Sequence, residues 1–279
     1  KGYMWFGTIN GLQRFDGKKF LNFKSIPDDS SSIPTNNLRG LFYDRHKRLW
    51  LIGSNNAVGI FNTTRFLFKT VPLQRQGKEK VYHPKHLFEA PDGKLILYEE
   101  KGNIYRFEEK ANQFVLENTL IALPPKWKHN RITWDRFSRK YWVATDSGLV
   151  AYNPATRLLS YRGHNAEQDP VINRFENETG ILNVVTLPNN SVAFYAQQNP
   201  AALPLLYYYN RNTGKATVSN PGKELDLNYY EIHGLVQQKS GNLWIHGVYM
   251  YTQWLPEQQL FLPLPNSYQG ELSIKFNYA

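Results

Sequence analysis

The sequence contains no cysteine among its 279 residues. Disulfide bonds, thiolate metal sites and cysteine nucleophiles are therefore excluded, although a cysteine-free chain suits an oxidising and a reducing compartment equally well. No stretch approaches the roughly 20 consecutive apolar residues that a membrane-spanning helix needs. Motifs of the Gly-x-Gly-x-x-Gly, Walker and zinc-protease types are also missing. From these motif classes we expect neither a cofactor nor a metal.

Aromatic and turn-forming residues are abundant. The chain has 7 Trp, 18 Tyr and 16 Phe, together with 19 Gly and 16 Pro spread along its length, which favours strands joined by turns over long helices. Lysine and arginine number 33 against 23 acidic residues, giving a formal charge of +10. Such a charge allows an anionic partner, and the simpler interpretation is a basic surface.

One hydrophobic slot recurs along the chain. It opens as Trp5 in the stretch "MWFGT", and the same slot is then filled by Trp50, Ile96, Trp142, Ala193 and Trp244. Successive markers are 45, 46, 46, 51 and 51 residues apart. Repeats of this period are typical of propellers and repeat arrays. The simplest interpretation of the tryptophans is core packing between repeated units.

Each repeat has the same internal pattern, with an apolar strand, a turn, the marker strand, a second turn and two further strands. Four short strands per repeat predict an all-β fold, a β-propeller of four-stranded antiparallel blades. A solenoid of stacked β-coils is the structural alternative. Six units are visible, near residues 1–35, 36–80, 81–127, 128–176, 177–227 and 228–266, with a partial strand at 267–279. We expect one propeller domain, 1–279.

The two ends of the chain each carry part of a unit. Residues 1–23 supply three strands without a first strand, and 271–279 resemble a first strand with nothing after it. Pairing these ends would close six blades and cover the exposed strand edges. Alternatively, the parent protein continues and the complete propeller has seven blades. We expect this chain to be a fragment of a larger protein.

The first unit resembles a known repeat family. Trp5-Phe6-Gly7-Thr8, Gly11-Leu12 and Arg14-Phe15-Asp16-Gly17 are similar to the two-component regulator propeller repeat, found in the extracellular sensor region of hybrid two-component system histidine kinases of Bacteroidetes. The stretch from Trp142 to Leu149 matches with alanine at one glycine position. Units marked by Trp50 and Trp244 match in part, and the units marked by Ile96 and Ala193 have lost the tryptophan.

The resemblance implies a periplasmic ligand-sensing propeller that recognises an oligosaccharide and controls polysaccharide-utilisation genes. It also implies adjoining propeller and β-sandwich domains, an inner-membrane anchor and a downstream histidine kinase, none of which lies in this segment. We therefore expect the segment to be a sensor without enzymatic activity of its own. A homodimer is a further expectation.

Aligning the units on the marker exposes a column of basic residues. Eleven residues before the markers stand Arg39, Lys85, Arg131, Leu182 and His233, and Lys275 fits the same phase in the last partial unit. If these side chains meet near one mouth of a propeller, they form a site for a small anionic ligand. Pairing of each cation with an acid or carbonyl of a neighbouring blade is the competing interpretation.

Aromatic residues near this column could stack on sugar rings, although blade packing explains them equally well. They are Tyr82, Trp134, Tyr229 and Tyr230. The predicted ligand-binding set therefore comprises the four tyrosine and tryptophan residues and the five basic residues.

Other functions find less support in the sequence. His83 and His86 point to opposite faces of a strand, so a shared metal is not expected. No catalytic triad or carboxylate pair emerges, which leaves a propeller lyase or glycan hydrolase as an alternative without a positive signal. A protein-interaction platform is a second alternative. The basic tract 74–86 has charges of both signs and lies between two predicted strands, which indicates a solvated loop. We therefore expect no nucleic-acid partner.

Overall fold

A computed structural model describes residues 3–74, 84–99, 102–117, 120–238 and 242–262. The chain is all-β, and its antiparallel sheets are β-propeller blades in which consecutive strands pair. The predicted fold class is thus confirmed. The chain forms two compact units, Lys1–Leu123 and Pro124–Ala279, each with three of the described sheets. That the two units make one domain stays a prediction.

Unit 1 contains three blades. Blade 1 has three described strands, β1 (Met4–Thr8), β2 (Gly11–Phe15) and β3 (Phe20–Phe23). Blade 2 has four strands, β4 (Leu38–Tyr43), β5 (Leu49–Gly53), β6 (Val58–Asn62) and β7 (Leu67–Thr70). Blade 3 also has four, β8 (Pro84–Glu89), β9 (Leu95–Glu99), β10 (Ile104–Glu108) and β11 (Gln113–Leu116). The prediction that residues 1–23 supply three strands is confirmed. The partial strand at 267–279 lies outside the described residues.

Unit 2 contains three further blades and two short helices. Blade 4 has five strands, β12 (His129–Asp135), β13 (Lys140–Thr145), β14 (Gly148–Asn153), β15 (Leu158–Tyr161) and β16 (His164–Asn165). Helix α1 (Pro170–Arg174) follows and leads into blade 5, which contains β17 (Ile181–Leu187), β18 (Ser191–Ala196), β19 (Leu205–Asn210) and β20 (Ala216–Ser219). Helix α2 (Pro221–Glu224) precedes blade 6, which contains β21 (Gly234–Gln237), β22 (Leu243–Gly247), β23 (Met250–Leu255) and β24 (Leu260–Leu262).

Three of the markers, Trp50, Trp142 and Ala193, lie in hydrophobic layers between neighbouring blades. Trp50 and Trp142 are completely buried, and Ile96 and Ala193 fill the same slot in blades 3 and 5 with almost no exposure. In unit 1, Trp50 packs edge-on against Phe107 and Phe114 of blade 3. The predicted packing role is confirmed for these markers, because alternating strand residues face the neighbouring blade.

The first strand of four blades carries a bulge near its beginning. In β4 the register shifts between Leu38 and Gly40, which leaves Arg39 as the extra residue. The same shift leaves Lys85 in β8, Asn130 in β12 and Leu182 in β17 as extra residues. A bulge bends the strand and re-aims the side chain that it carries. The bulge therefore marks a structurally equivalent position in each blade.

Candidate ligand-binding cleft

The bulge tests the predicted basic column position by position. Arg39 and Lys85 occupy it in unit 1, and both side chains are exposed. In unit 2 the bulge position belongs to Asn130, not to Arg131. Trp142 pairs with Thr133, nine residues earlier, whereas Trp50 pairs with Phe42, eight residues earlier. Because the pairing distance is one residue longer in blade 4, counting eleven residues back from Trp142 stops one residue short of the bulge, at Arg131.

Arg131 therefore stands in the next position of its strand, opposite Ala144. The equivalent residues of the other blades are Gly40, His86, Asn183 and Gly234, each of which pairs with the residue two after its marker. Arg131 is half-buried and close enough to Tyr195 for its charge to favour the phenolate. Burial dominates, however, and raises the pKa of Tyr195 to about 12. A ligand-binding role for Arg131 stays a prediction.

The remaining predicted residues fall into different environments. In blade 6, Gly234 is the first residue of β21 and pairs with His246. His233 directly precedes it, and its backbone amide donates to the His246 carbonyl at 2.8 Å. His233 therefore occupies the column position of this blade. Trp134 packs edge-on against Tyr141 within blade 4, with ring centroids 4.8 Å apart. Tyr82 and Lys275 lie outside the described residues. In unit 2 the column consequently reads Asn130, Leu182 and His233.

A cleft of about 700 Å³ lies between blades 5 and 6 and contains three of the predicted residues. Its walls are the β18–β19 loop, residues 197–204, and the segment that enters β21, residues 229–233. Leu182, Gly180 and Asp146 complete the lining. Tyr229, Tyr230 and His233 are the predicted residues that the structure brings together. The volume falls in the range of small-molecule sites.

Backbone hydrogen bonds of Gly180 hold together two of the segments that line the cleft. Its amide donates to the Asp146 carbonyl at 2.8 Å, and its carbonyl accepts from the Gln197 amide at 2.9 Å. Gly180 has a φ of +63°, and a Cβ there would lie 2.1 Å from the Gln197 carbonyl oxygen. Only glycine fits this turn without strain. Asp146 and the β18–β19 loop are therefore held together at the start of blade 5.

The two adjacent tyrosines have different surroundings. Tyr230 is 1% exposed, and its hydroxyl donates to the Pro204 carbonyl at 2.6 Å. Tyr229 is 53% exposed and available to a ligand. Tyr230 thus anchors the end of the β18–β19 loop, whereas Tyr229 presents an aromatic surface in the cleft.

Glu231 links Tyr229 and His233 in an exposed array. The Tyr229 hydroxyl donates to Oε1 of Glu231, and Nε2 of His233 lies 3.0 Å from Oε2 of the same carboxylate. These two hydrogen bonds, the one from Tyr229 first, lower the pKa of Glu231. The same bond to Glu231 raises the pKa of Tyr229. The array therefore places an ionised carboxylate beside a neutral phenol at neutral pH.

Gly247 positions this array against β22. The Glu231 amide donates to the Val248 carbonyl at 3.2 Å, and a Cβ on Gly247 would lie 1.8 Å from the Glu231 carbonyl oxygen. Close approach of the two backbones therefore requires glycine. His246 lies beside His233, and burial together with that imidazole lowers the pKa of His246.

The β18–β19 loop, Glu231 and Asp146 are site residues that the sequence patterns do not predict. The loop, "QQNPAALP", lies within the last repeat, whose marker spacing is 51 residues, as in the repeat before it, against 45 or 46 in the first three. That excess length was the available signal, since insertions in repeat proteins map to loops that often form the binding face. No comparable signal distinguishes Glu231 or Asp146 from the other 21 acidic residues.

Among the described residues, no set of three or more histidine, aspartate or glutamate side chains is arranged to hold a metal ion. Neither of the described helices has the length and apolar character needed to cross a membrane.

The chain is similar to part of a histidine kinase. No protein-family model matches the chain. "Histidine kinase P4" from Formosa agariphila is 23% identical over 190 residues, which cover 64% of this chain and 13% of that protein. The chain therefore spans only a small part of this relative.

Solved structures of extracellular domains share the fold. Proteins assigned as the hybrid two-component systems BT3049 and BT4673, both from B. thetaiotaomicron, superpose with TM-scores of 0.67 and 0.66. Their identities to this chain are 19% and 15%. The superpositions cover 96% and 94% of this chain, and 34% and 35% of those chains. The predicted similarity to extracellular regions of hybrid two-component systems is thus confirmed, and the chain spans about a third of the length of these two chains.

Proposed function

We propose that this chain is part of the periplasmic sensor region of a hybrid two-component system histidine kinase. The similarity to a histidine kinase and to extracellular domains of two such systems supports the proposal. The membrane anchor and the kinase would lie in other parts of the parent protein, as would further propeller and β-sandwich domains. Dimerisation of the parent and control of polysaccharide-utilisation genes belong to the same proposal.

The unit-2 cleft is the proposed ligand site, and the ligand is an oligosaccharide. The observation that carries this proposal is the exposed Tyr229 ring in a concave site whose opposite loop supplies side-chain amides, including Gln198 and Asn199. A sugar ring has an apolar face that packs on an aromatic ring and hydroxyl groups that bond to amides. We expect a sensor site of this kind to bind its ligand without turning it over.

A glycan array followed by calorimetry tests the proposal. We expect a glycan that binds the chain to lose affinity by roughly tenfold in Tyr229→Ala, which corresponds to about 1.4 kcal/mol. Tyr251→Ala is the matched control, because Tyr251 is 47% exposed in the same unit and does not line the cleft. Equal losses in both variants would place the ligand elsewhere.

A turnover assay on the same glycan separates a sensor from an enzyme. Release of new reducing ends by the purified chain would support the glycan hydrolase alternative. An unchanged glycan after prolonged incubation supports binding alone.

A further inference from the structure

The charge of the unit-2 cleft differs from that of the whole chain. The chain carries a formal charge of +10, yet the described residues that line the cleft include Asp146 and Glu231 and neither lysine nor arginine. Within the described part of the chain, the ion pair of Glu231 is with His233, and no lysine or arginine forms an ion pair with either carboxylate. The cleft is therefore an acidic site on a basic protein.

The residues at the column position account for the lack of cations in this site. In unit 1 the bulge position carries Arg39 and Lys85, whereas in unit 2 the equivalent residues are Asn130, Leu182 and His233. Leu182 and His233 line the cleft. The two blades that form the cleft thus have no permanent cation at the position that is basic in blades 2 and 3.

We infer that the cleft binds oligosaccharides without acidic groups and that Glu231 is the residue that rejects acidic ones. This inference rests on the proposed function of the cleft. A carboxylate or sulfate on a sugar held against Tyr229 would come close to the Glu231 carboxylate, because Tyr229 bonds directly to it. Like charges held close together oppose binding, most strongly at low ionic strength, and such repulsion is a common source of specificity.

Hydroxyl groups suit the same carboxylate. Each carboxylate oxygen has two acceptor sites, and one site on each oxygen of Glu231 is used by Tyr229 and His233. The remaining acceptor sites suit the hydroxyls of a neutral sugar. The same side chain therefore attracts a neutral ligand and repels an acidic one.

Matched pairs of oligosaccharides test the inference. The probes are hexasaccharides of galactose and galacturonic acid, and of mannose and mannuronic acid, measured by calorimetry at low ionic strength. Within a pair that binds, we expect the acidic member to bind at least tenfold more weakly than the neutral member. Glu231→Gln should narrow the difference to about threefold by improving binding of the acidic member, and added salt should narrow it for the wild type because repulsion is screened.

Glu176→Gln is the matched control. Glu176 is an exposed carboxylate of unit 2 that does not line the cleft, so its removal changes the net charge equally and should leave the ratio of affinities unchanged. Equal or tighter binding of the acidic member by the wild type would overturn the inference while leaving oligosaccharide binding intact. A difference that Glu231→Gln does not narrow would overturn the role of Glu231. Absence of binding by either member of both pairs would overturn the inference and count against an oligosaccharide ligand.

Discussion

The indole Nε1 of Trp50 donates a hydrogen bond to Oδ2 of Asp44 at 2.8 Å, and both side chains are almost completely buried. Burial alone would raise the pKa of Asp44, but this bond and the contacts with Arg48 outweigh burial and lower it. The Arg48 guanidinium also bonds to Glu109 of blade 3, at 2.7 and 2.8 Å. The buried marker is thus part of a polar network that links two blades of unit 1.

A second copy of this relationship occurs in unit 2. Nε1 of Trp142 donates to Asp135 at 3.3 Å, and the Arg211 guanidinium of blade 5 lies 2.8 Å from the same carboxylate. In each copy an arginine also packs over the tryptophan ring, at 5.3 Å from its centroid. The acid, the tryptophan and the arginine therefore form a repeated structural group.

The acid is absent where the tryptophan has been replaced. Ile96 in blade 3 has Ala90 at the position equivalent to Asp44, and Ala193 in blade 5 has Leu187 there. This agrees with the physical expectation that a buried carboxylate without its donors is costly. In blade 6 the equivalent residue is Gln238, and the buried Nε1 of Trp244 has no hydrogen-bond partner among the described residues.

We predict that Trp50→Phe lowers the free energy of unfolding by about 2 kcal/mol, since hydrogen bonds to charged groups contribute about 1.5–3 kcal/mol. Trp244→Phe should cost less than half as much, because its indole N–H donates to no described group. Urea denaturation followed by circular dichroism measures both losses. A double-mutant cycle with Asp44→Ala, which removes the acceptor, isolates the bond from the lost ring volume. A coupling energy near zero would show that packing alone accounts for the effect.

The blades could be predicted from the sequence because their cause is local. The marker period and the alternation of apolar residues fix the strands and their inward faces, whether the slot holds Trp50 or Ala193. The column of site residues depends instead on pairing between strands. The register of the β12–β13 hairpin differs by one residue from that of the other blades, and spacing along the sequence does not reveal it. Counting back from Trp142 therefore gives Arg131 and not Asn130.

The cleft could be predicted only in part. Tyr229, Tyr230 and His233 could be predicted because they lie close to the start of a first strand. The sequence does not show that Tyr229 is exposed and that the adjacent Tyr230 is buried. Glu231 belongs to the site through its two hydrogen bonds. Such bonds depend on the backbone path that Gly247 permits, which no residue count reveals.

We predict that Arg211→Met destabilises the protein by about 3–5 kcal/mol at pH 7, the usual cost of leaving a buried carboxylate without its cation. Asp135 is completely buried, and burial tends to raise its pKa. Arg211, followed by bonds from Ser138 and Phe137, outweighs that effect and lowers the pKa. In the wild type, this contribution to stability is present above the unfolded-state pKa and is lost as the pH falls through the folded-state pKa.

The penalty of Arg211→Met should therefore depend on pH. Without the cation, the Asp135 pKa rises, so the carboxyl group protonates in the folded variant as the solution is acidified. The difference in unfolding free energy between wild type and variant should be largest at pH 7 and should shrink as the pH falls through the raised pKa of Asp135 in the folded variant. Urea denaturation at pH 7, 5, 4 and 3 measures it, with Arg211→Lys as a charge-preserving control. A difference independent of pH would mean that lost packing over Trp142 is the cause.

We predict that Tyr230→Phe lowers the free energy of unfolding by about 1–2 kcal/mol, because it leaves the Pro204 carbonyl without the hydroxyl that now donates to it. The same change should speed amide hydrogen exchange in residues 197–204, since this bond fastens the end of that loop. Tyr229→Phe is the matched control, as its hydroxyl is exposed and bonds to an exposed carboxylate. Mass spectrometry of exchanged peptides and urea denaturation give the two readouts. If Tyr229→Phe accelerates exchange in the loop as much as Tyr230→Phe does, the anchor is not Tyr230.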